Sequence, residues 1–140
     1  MTSEHILMRE VELPVSFTVA DGAGIEKGTL LKMADLNTAA ASTAVNDVIA
    51  GIAAQEKIVS NGQTKLAVYV RGDFKGELSG NATTGDPLGS HSRTGEENTI
   101  YSLAGVVNLS GNCCLGVAKE DGTDGQTIRY ELKPQVIESD

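Results

Sequence analysis

Short stretches in which apolar and polar residues alternate recur along most of this chain. Residues 15–19 alternate Val, Phe and Val with Ser and Thr, and residues 65–70 alternate in the same way. A period of two places successive side chains on opposite faces of a strand. Turns rich in glycine, such as residues 20–24, separate the stretches. The pattern predicts an all-β protein of short antiparallel strands, a small β-barrel or β-sandwich with at most one short helix.

One segment, residues 51–69, returns in shorter form at residues 116–130. Each copy begins with glycine, a β-branched residue and alanine, and each passes through a turn and Gly-Gln-Thr to a run that contains a tyrosine. A strand, a turn and a returning strand predict a β-hairpin. Because the hairpin occurs twice, and a Gly-x-Leu-like segment precedes both copies, the sequence predicts two related halves of roughly sixty residues.

The remaining segments are less uniform. Further strands are predicted at residues 29–34, 74–78, 99–103 and 106–109, with a loop at residues 79–89 and an exposed polar segment at residues 90–98. Lys133 and Pro134 are expected to end the second hairpin. Residues 36–45 leave two interpretations open: the alanine run favours a helix, whereas the threonines and the partly alternating pattern favour a strand.

The chain divides into three predicted parts. Residues 15–134 form a single β domain, residues 1–14 an N-terminal arm and residues 135–140 an acidic tail. Residues 6–8 are an apolar cluster between charges, and Val11 and Leu13 alternate with glutamates. Disorder is the commoner fate of chain ends, but an arm that keeps apolar residues gains from docking on a partner. Docking on a partner and disorder in isolation both remain open for this arm.

Composition and charge narrow the possible functions. The net charge is −8, which opposes binding to nucleic acid and to anionic membrane surfaces. Residues 99–118 are uncharged, but their glycines and asparagines indicate strand, turn and strand rather than a membrane span. The first dozen residues carry charges where a secretory signal would be apolar. The acidic balance favours solubility and basic partner surfaces, and a soluble acidic protein without any steering role explains it equally well.

No reaction centre is predicted. Cys113 and Cys114 are adjacent, so a bridge between them is disfavoured and synthesis in a reducing cytoplasm is indicated. Two histidines far apart in sequence offer no ligand motif, and we expect neither metal nor cofactor. Glu56 and Glu120 take equivalent places in the two hairpins and could act as paired carboxylates. Shared turn structure explains them more simply, and the chain is not expected to be an enzyme.

Residues 71–73 spell Arg-Gly-Asp, the cell-adhesion tripeptide, where one strand gives way to the next. A bend or bulge before Phe74 accounts for the glycine without any adhesive role. A module that binds carbohydrate or a host surface is the alternative function, with residues 71–73 and 90–98 as its candidates. The scarcity of aromatic residues argues against sugar stacking.

Four segments together carry a family resemblance: VADGAGIEKGTLLKM, DVIAGIAAQE, TKLAVYVRGDFKGEL and LGVAKEDGTDGQTIRYEL. Over residues 15–132 the chain resembles the capsid decoration, or cement, proteins of tailed phages. The resemblance implies a β-barrel or β-tulip-like domain, usually trimeric, on the outer surface of a finished icosahedral head. It also implies the major capsid protein as partner and an N-terminal arm that bridges capsomers. The arm residues expected to contact the capsid are Ile6, Leu7, Met8, Arg9, Val11 and Leu13.

Overall fold

A computed structural model describes residues 4–43, 47–91, 98–104 and 113–136. The described residues form β-strands joined by turns and include no helix, so no helix there is long and apolar enough to cross a membrane. The all-β prediction is therefore confirmed. The strands are β1 Ile6–Glu10, β2 Val15–Thr18, β3 Leu30–Asp35, β4 Thr38–Ala41, β5 Ile49–Ala53, β6 Lys65–Tyr69, β7 Gly72–Glu77, β8 Pro87–Ser90, β9 Ile100–Ser102, β10 Cys113–Ala118 and β11 Thr127–Val136.

The first half of the chain closes into a five-stranded barrel with the order β2-β4-β3-β5-β6. Neighbouring strands are antiparallel, except that β2 meets β4 in parallel where Thr18 lies opposite Thr38. The alternating residues of the sequence fill the interior, with Phe17, Leu66 and Val68 all buried. Local alternation thus produces the strands, and burial of one face of each strand closes the barrel.

The second half forms a six-stranded sheet with the order β1-β7-β11-β10-β8-β9. A parallel bridge between Leu78 and Ile100 joins the end of β7 to the beginning of β9. Apart from β1, the strands β7, β9, β8, β10 and β11 therefore follow the order of the barrel's β2, β4, β3, β5 and β6. The strand β1 is the additional element of this half.

Backbone hydrogen bonds repeat in detail between the halves. Gly28 N donates to Ala53 O at 2.9 Å, and Gly85 N donates to Ala118 O at 2.8 Å. Both glycines have positive φ, 85° and 92°, which glycine adopts without steric cost. Leu31 lies opposite Gly51 as Leu88 lies opposite Gly116. The Gly-x-Leu-like signal before each hairpin therefore marks the same turn and strand.

Both predicted hairpins form, as β5 with β6 and as β10 with β11. The predicted equivalence of Glu56 and Glu120 is wrong. Glu120 Oε1 accepts a hydrogen bond from Arg129 N at 2.7 Å, and its counterpart is Gln55, whose Oε1 accepts from Ala67 N at 2.9 Å. Gln55 and Glu120 each lie four residues after the equivalent glycines Gly51 and Gly116, whereas Glu56 lies five residues after Gly51. These side chains brace the hairpins, in agreement with the structural interpretation of Glu120.

Tertiary pairing overrides the local signals at three other places. Residues 38–41, for which helix and strand were both open, form the strand β4. The predicted loop at residues 79–89 is wrong beyond residue 86, because β8 pairs with β9 and β10 despite its proline and glycine. The second hairpin does not end at Pro134: β11 continues to Val136 past an irregularity in its register, where a proline is tolerated.

One hydrophobic cluster, distinct from the barrel interior, is shared by the two halves. Leu30, Ile49 and Ile52 of the barrel pack with Phe74 and Tyr130 of the second sheet in a single buried cluster. Every residue of β5 is buried because this strand lies between the two halves. The predicted strand at residues 106–109, residues 92–97 of the polar segment and residues 137–140 of the acidic tail lie outside the described residues.

Candidate interaction surface

The N-terminal segment is fixed to the second sheet by a buried histidine. His5 is 2% exposed; its Nε2 donates to Asn98 O at 2.8 Å, and its Nδ1 accepts from the Tyr130 hydroxyl at 2.6 Å. A carbonyl can only accept, so these contacts fix the neutral tautomer with hydrogen on Nε2. Asn98 in turn reaches the barrel, because its Oδ1 accepts from Leu30 N and its Nδ2 donates to Gly28 O.

Burial determines the protonation states of this cluster. Loss of solvation lowers the pKa of His5 from 6.5 to about 4, and the hydrogen bond to Asn98 opposes this only in part. Loss of solvation also raises the pKa of Tyr130 well above its ordinary value. Both groups are neutral at pH 7. A neutral, fully hydrogen-bonded cluster holds the start of β1 at the junction of the two halves.

The strand β1 pairs antiparallel with β7 and has an inward and an outward side. Leu7 lies opposite Phe74 and packs against the shared core. Arg9 lies opposite Asp73, and its Nε is 3.2 Å from the Asp73 carboxylate. Of the six predicted contact residues, Leu7 is therefore directed into the protein, and Arg9 is paired within it although two-thirds exposed. The predicted arm is a strand of the second sheet over residues 6–10.

The other predicted contact residues face solvent. From β1 to the start of β2 the chain carries a series of exposed aliphatic side chains, interrupted by Arg9, Glu10 and Glu12, which we call the apolar ribbon. Its members and their exposed fractions are Ile6 52%, Met8 41%, Val11 44%, Leu13 76% and Val15 43%. Five exposed aliphatic side chains within ten residues of a small acidic protein make this segment the candidate interaction surface. Sequence reasoning missed Val15, because alternation alone placed it on the buried face of its strand.

A second exposed apolar site lies in the turn of the first hairpin, which a buried lysine fixes. The Lys57 side chain is fully buried, and its Nζ donates to Asp21 O at 2.8 Å and to Ile58 O at 3.0 Å. These bonds fix the turn of the first hairpin and leave Ile58 69% and Val59 58% exposed. In the second half Gly122 takes the position of Lys57, opposite Ala82 rather than Ile25. Sequence inspection offered no signal for a buried lysine here.

The remaining candidates for chemistry are structural residues. Asp73 is buried and lies within 3.6 Å of both Arg9 and Arg129, and Gly72 and Asp73 begin β7, so the Arg-Gly-Asp segment is not a displayed loop. Burial raises the pKa of the Cys114 thiol, which disfavours the thiolate that a nucleophile needs. Within residues 4–43, 47–91, 98–104 and 113–136, no group of three or more potential ligands could hold a metal ion.

Comparisons with known proteins found similarity to a solved structure but none to a family model or a curated protein. No family model matches the sequence, and no curated protein matches it. Among solved structures, the chain is similar to the head fiber gp8.5 N base of bacteriophage phi29. The TM-score is 0.55 at 17% sequence identity, over 91% of this chain and 100% of the other. At that identity the likeness shows that the two chains share a fold.

Proposed function

We propose that this protein is a virion structural protein that binds the outside of an assembled icosahedral capsid and cements neighbouring capsomers. The apolar ribbon is the observation that carries the proposal, because its aliphatic side chains are exposed although the strands on either side of it are anchored in the fold. The fold shared with a phage head fiber base supports a place on the phage head. In this function the protein acts by binding, without catalysis, metal or cofactor.

Fixing the ribbon before it binds favours the proposed function. The His5 cluster and the pairing of β1 with β7 hold the part of the ribbon that carries Ile6 and Met8, so this part loses little conformational entropy on docking. A homotrimer would present three ribbons to the local threefold of a capsid. Three linked weak contacts then give an avidity that one ribbon lacks. Because only the assembled lattice offers all three sites, binding would stabilise the assembled capsid.

The test uses heads assembled without this protein and the full chain added in solution. Met8→Asp together with Leu13→Asp places charge on the ribbon and leaves His5 and Leu7 in place. We expect at least a tenfold loss of affinity for heads, measured by co-sedimentation. Val48→Asp is the matched control, because Val48 is an aliphatic residue of similar exposure, 47%, outside both apolar sites, and it is expected to bind as the wild type does.

Equal binding by the double variant and the control would contradict the role of the ribbon. A stoichiometry on heads that is not a multiple of three would contradict the trimer. Deletion of residues 2–13 is a poorer test, because it also removes the buried His5 and Leu7 and so perturbs folding.

A further inference from the structure

One edge of β2 offers backbone groups that no described strand takes up. Ser16 lies opposite Ala67. Ala67 N donates to Gln55 Oε1 and Ala67 O accepts from Ala54 N, so both Ala67 groups point towards β5. The N–H and C=O of Ser16 therefore point to the other side of β2, where Thr18 N donates to Asn37 O. Within the part of the chain described, nothing pairs with this edge before Thr18.

The second half shows what occupies the equivalent edge. Lys75 of β7 corresponds to Ser16, and β1 covers it with Ile6 opposite Lys75 and Leu7 opposite Phe74. Phe74 is fully buried there, with the Leu7 side chain among the residues that pack around it. Its counterpart in the barrel is Val15, which is 43% exposed. The barrel thus lacks both a strand and the aliphatic side chain that such a strand would insert.

Exposed aliphatic residues surround the same gap. Leu13 precedes β2, and Leu36 is 83% exposed in the turn whose next residue, Asn37, binds Thr18. An unpaired strand edge bordered by exposed aliphatic side chains is the arrangement that accepts an added strand.

We propose that this edge of β2 accepts an extended segment of the capsid subunit as an added antiparallel strand. This inference rests on the proposed function and names the surface and the partner segment. By analogy with β1 on β7, the segment places an aliphatic side chain opposite Val15. Its backbone hydrogen-bonds to Ser16. The net charge of −8 disfavours an acidic segment.

A second copy of this chain is a poorer donor. Its β1 is the strand shaped for such an edge, but donating it would break the His5 cluster and uncover Phe74. The donor would therefore lose the same contacts that the acceptor gained. A segment from a different chain carries no such loss.

The experiment compares Ser16→Pro with Ser16→Ala in the full chain on heads assembled without the protein. Proline removes the outward N–H of an edge strand and leaves the ladder to β6 intact, whereas alanine removes only the hydroxyl. We expect Ser16→Pro to lose affinity at least tenfold and Ser16→Ala to bind normally. Equal binding by both would overturn this inference and leave the proposed function standing. Failure of the wild type to bind heads would overturn the proposed function itself.

Hydrogen exchange on the wild type gives an answer that does not depend on how Ser16→Pro folds. The Ser16 amide is expected to exchange rapidly in the free protein and at least a hundredfold more slowly on heads. An unchanged rate on heads would overturn the inference. Protection that appears in the free protein as its concentration rises would identify a second copy as the occupant and would also overturn it.

Discussion

At the scale of single residues, His5 links folding to pH. Its pKa is about 4 in the folded protein and 6.5 when solvated, so between these values the unfolded state binds more protons. The contribution of His5 to the free energy of unfolding is therefore complete above pH 6.5 and falls as pH decreases towards 4. The loss amounts to about 3 kcal/mol, since a tenfold difference in proton affinity corresponds to about 1.4 kcal/mol. Urea unfolding at a series of pH values measures it.

The matched variant for this prediction is His5→Gln, which has no titrating group at this position. It should be less stable than the wild type at pH 7 but should lack the histidine component of the pH dependence. The difference between the two proteins therefore isolates His5 from the carboxylates. If both lose stability in parallel from pH 6.5 to pH 4, the buried neutral histidine is not the cause.

A second prediction at this scale concerns the equivalent glycines of the two hairpins, Gly51 and Gly116. A Cβ on Gly116 would collide with the carbonyl oxygen of Glu131, and one on Gly51 with that of Tyr69. We expect Gly116→Ala to lower the free energy of unfolding by more than about 2 kcal/mol. Gly22→Ala is the control, because nothing lies within 4 Å of its Cβ position, and its effect should stay within about 0.5 kcal/mol. Equal stabilities would show that the strands separate easily at Gly116.

At the scale of elements, each hairpin is braced by one side chain that binds the returning strand. Glu120→Gln should preserve the brace, because Gln55 performs the same role in the first hairpin. Glu120→Ala removes the acceptor of Arg129 N and should cost about 1 kcal/mol in thermal or urea unfolding. Glu56→Ala is the matched control and should change little. A large loss in Glu120→Gln would mean that charge, rather than the hydrogen bond, is required.

At the scale of the whole molecule, the shared core couples the two halves. Ile52→Ala should cost about 3 kcal/mol, because Ile52 is buried between the barrel and the second sheet. Native-state hydrogen exchange should show equal destabilisation in β6 and β11, since a common core unfolds as one unit. Val117→Ala, at the equivalent but half-buried position, should cost less than about 1 kcal/mol. Loss of protection in β6 alone would show that the halves unfold independently.

Most of the predictions that failed share one cause. The local composition of Pro87–Ser90 signals a loop, and Pro134 signals a strand end, yet both lie in strands because partners distant in sequence pair with them. Glu56 was aligned with Glu120 by residue type, whereas the spacing from Gly51 and Gly116 pairs Glu120 with Gln55, and the hydrogen bonds confirm that pairing. The six predicted contact residues form one segment, but only the fold shows that Leu7 is directed inward and that Val15 is exposed.

The sequence by itself determined that this protein is all-β and that two related hairpins organise it. Both follow from local physics: alternation sets the faces of a strand, and glycines permit the turns between strands. Only the tertiary structure decided that β1 pairs with β7 and buries His5, and that the equivalent edge of β2 stays open. Strand partners are chosen by contacts between residues far apart in the chain. A repeat in sequence therefore predicts two similar halves but not which of their edges is covered.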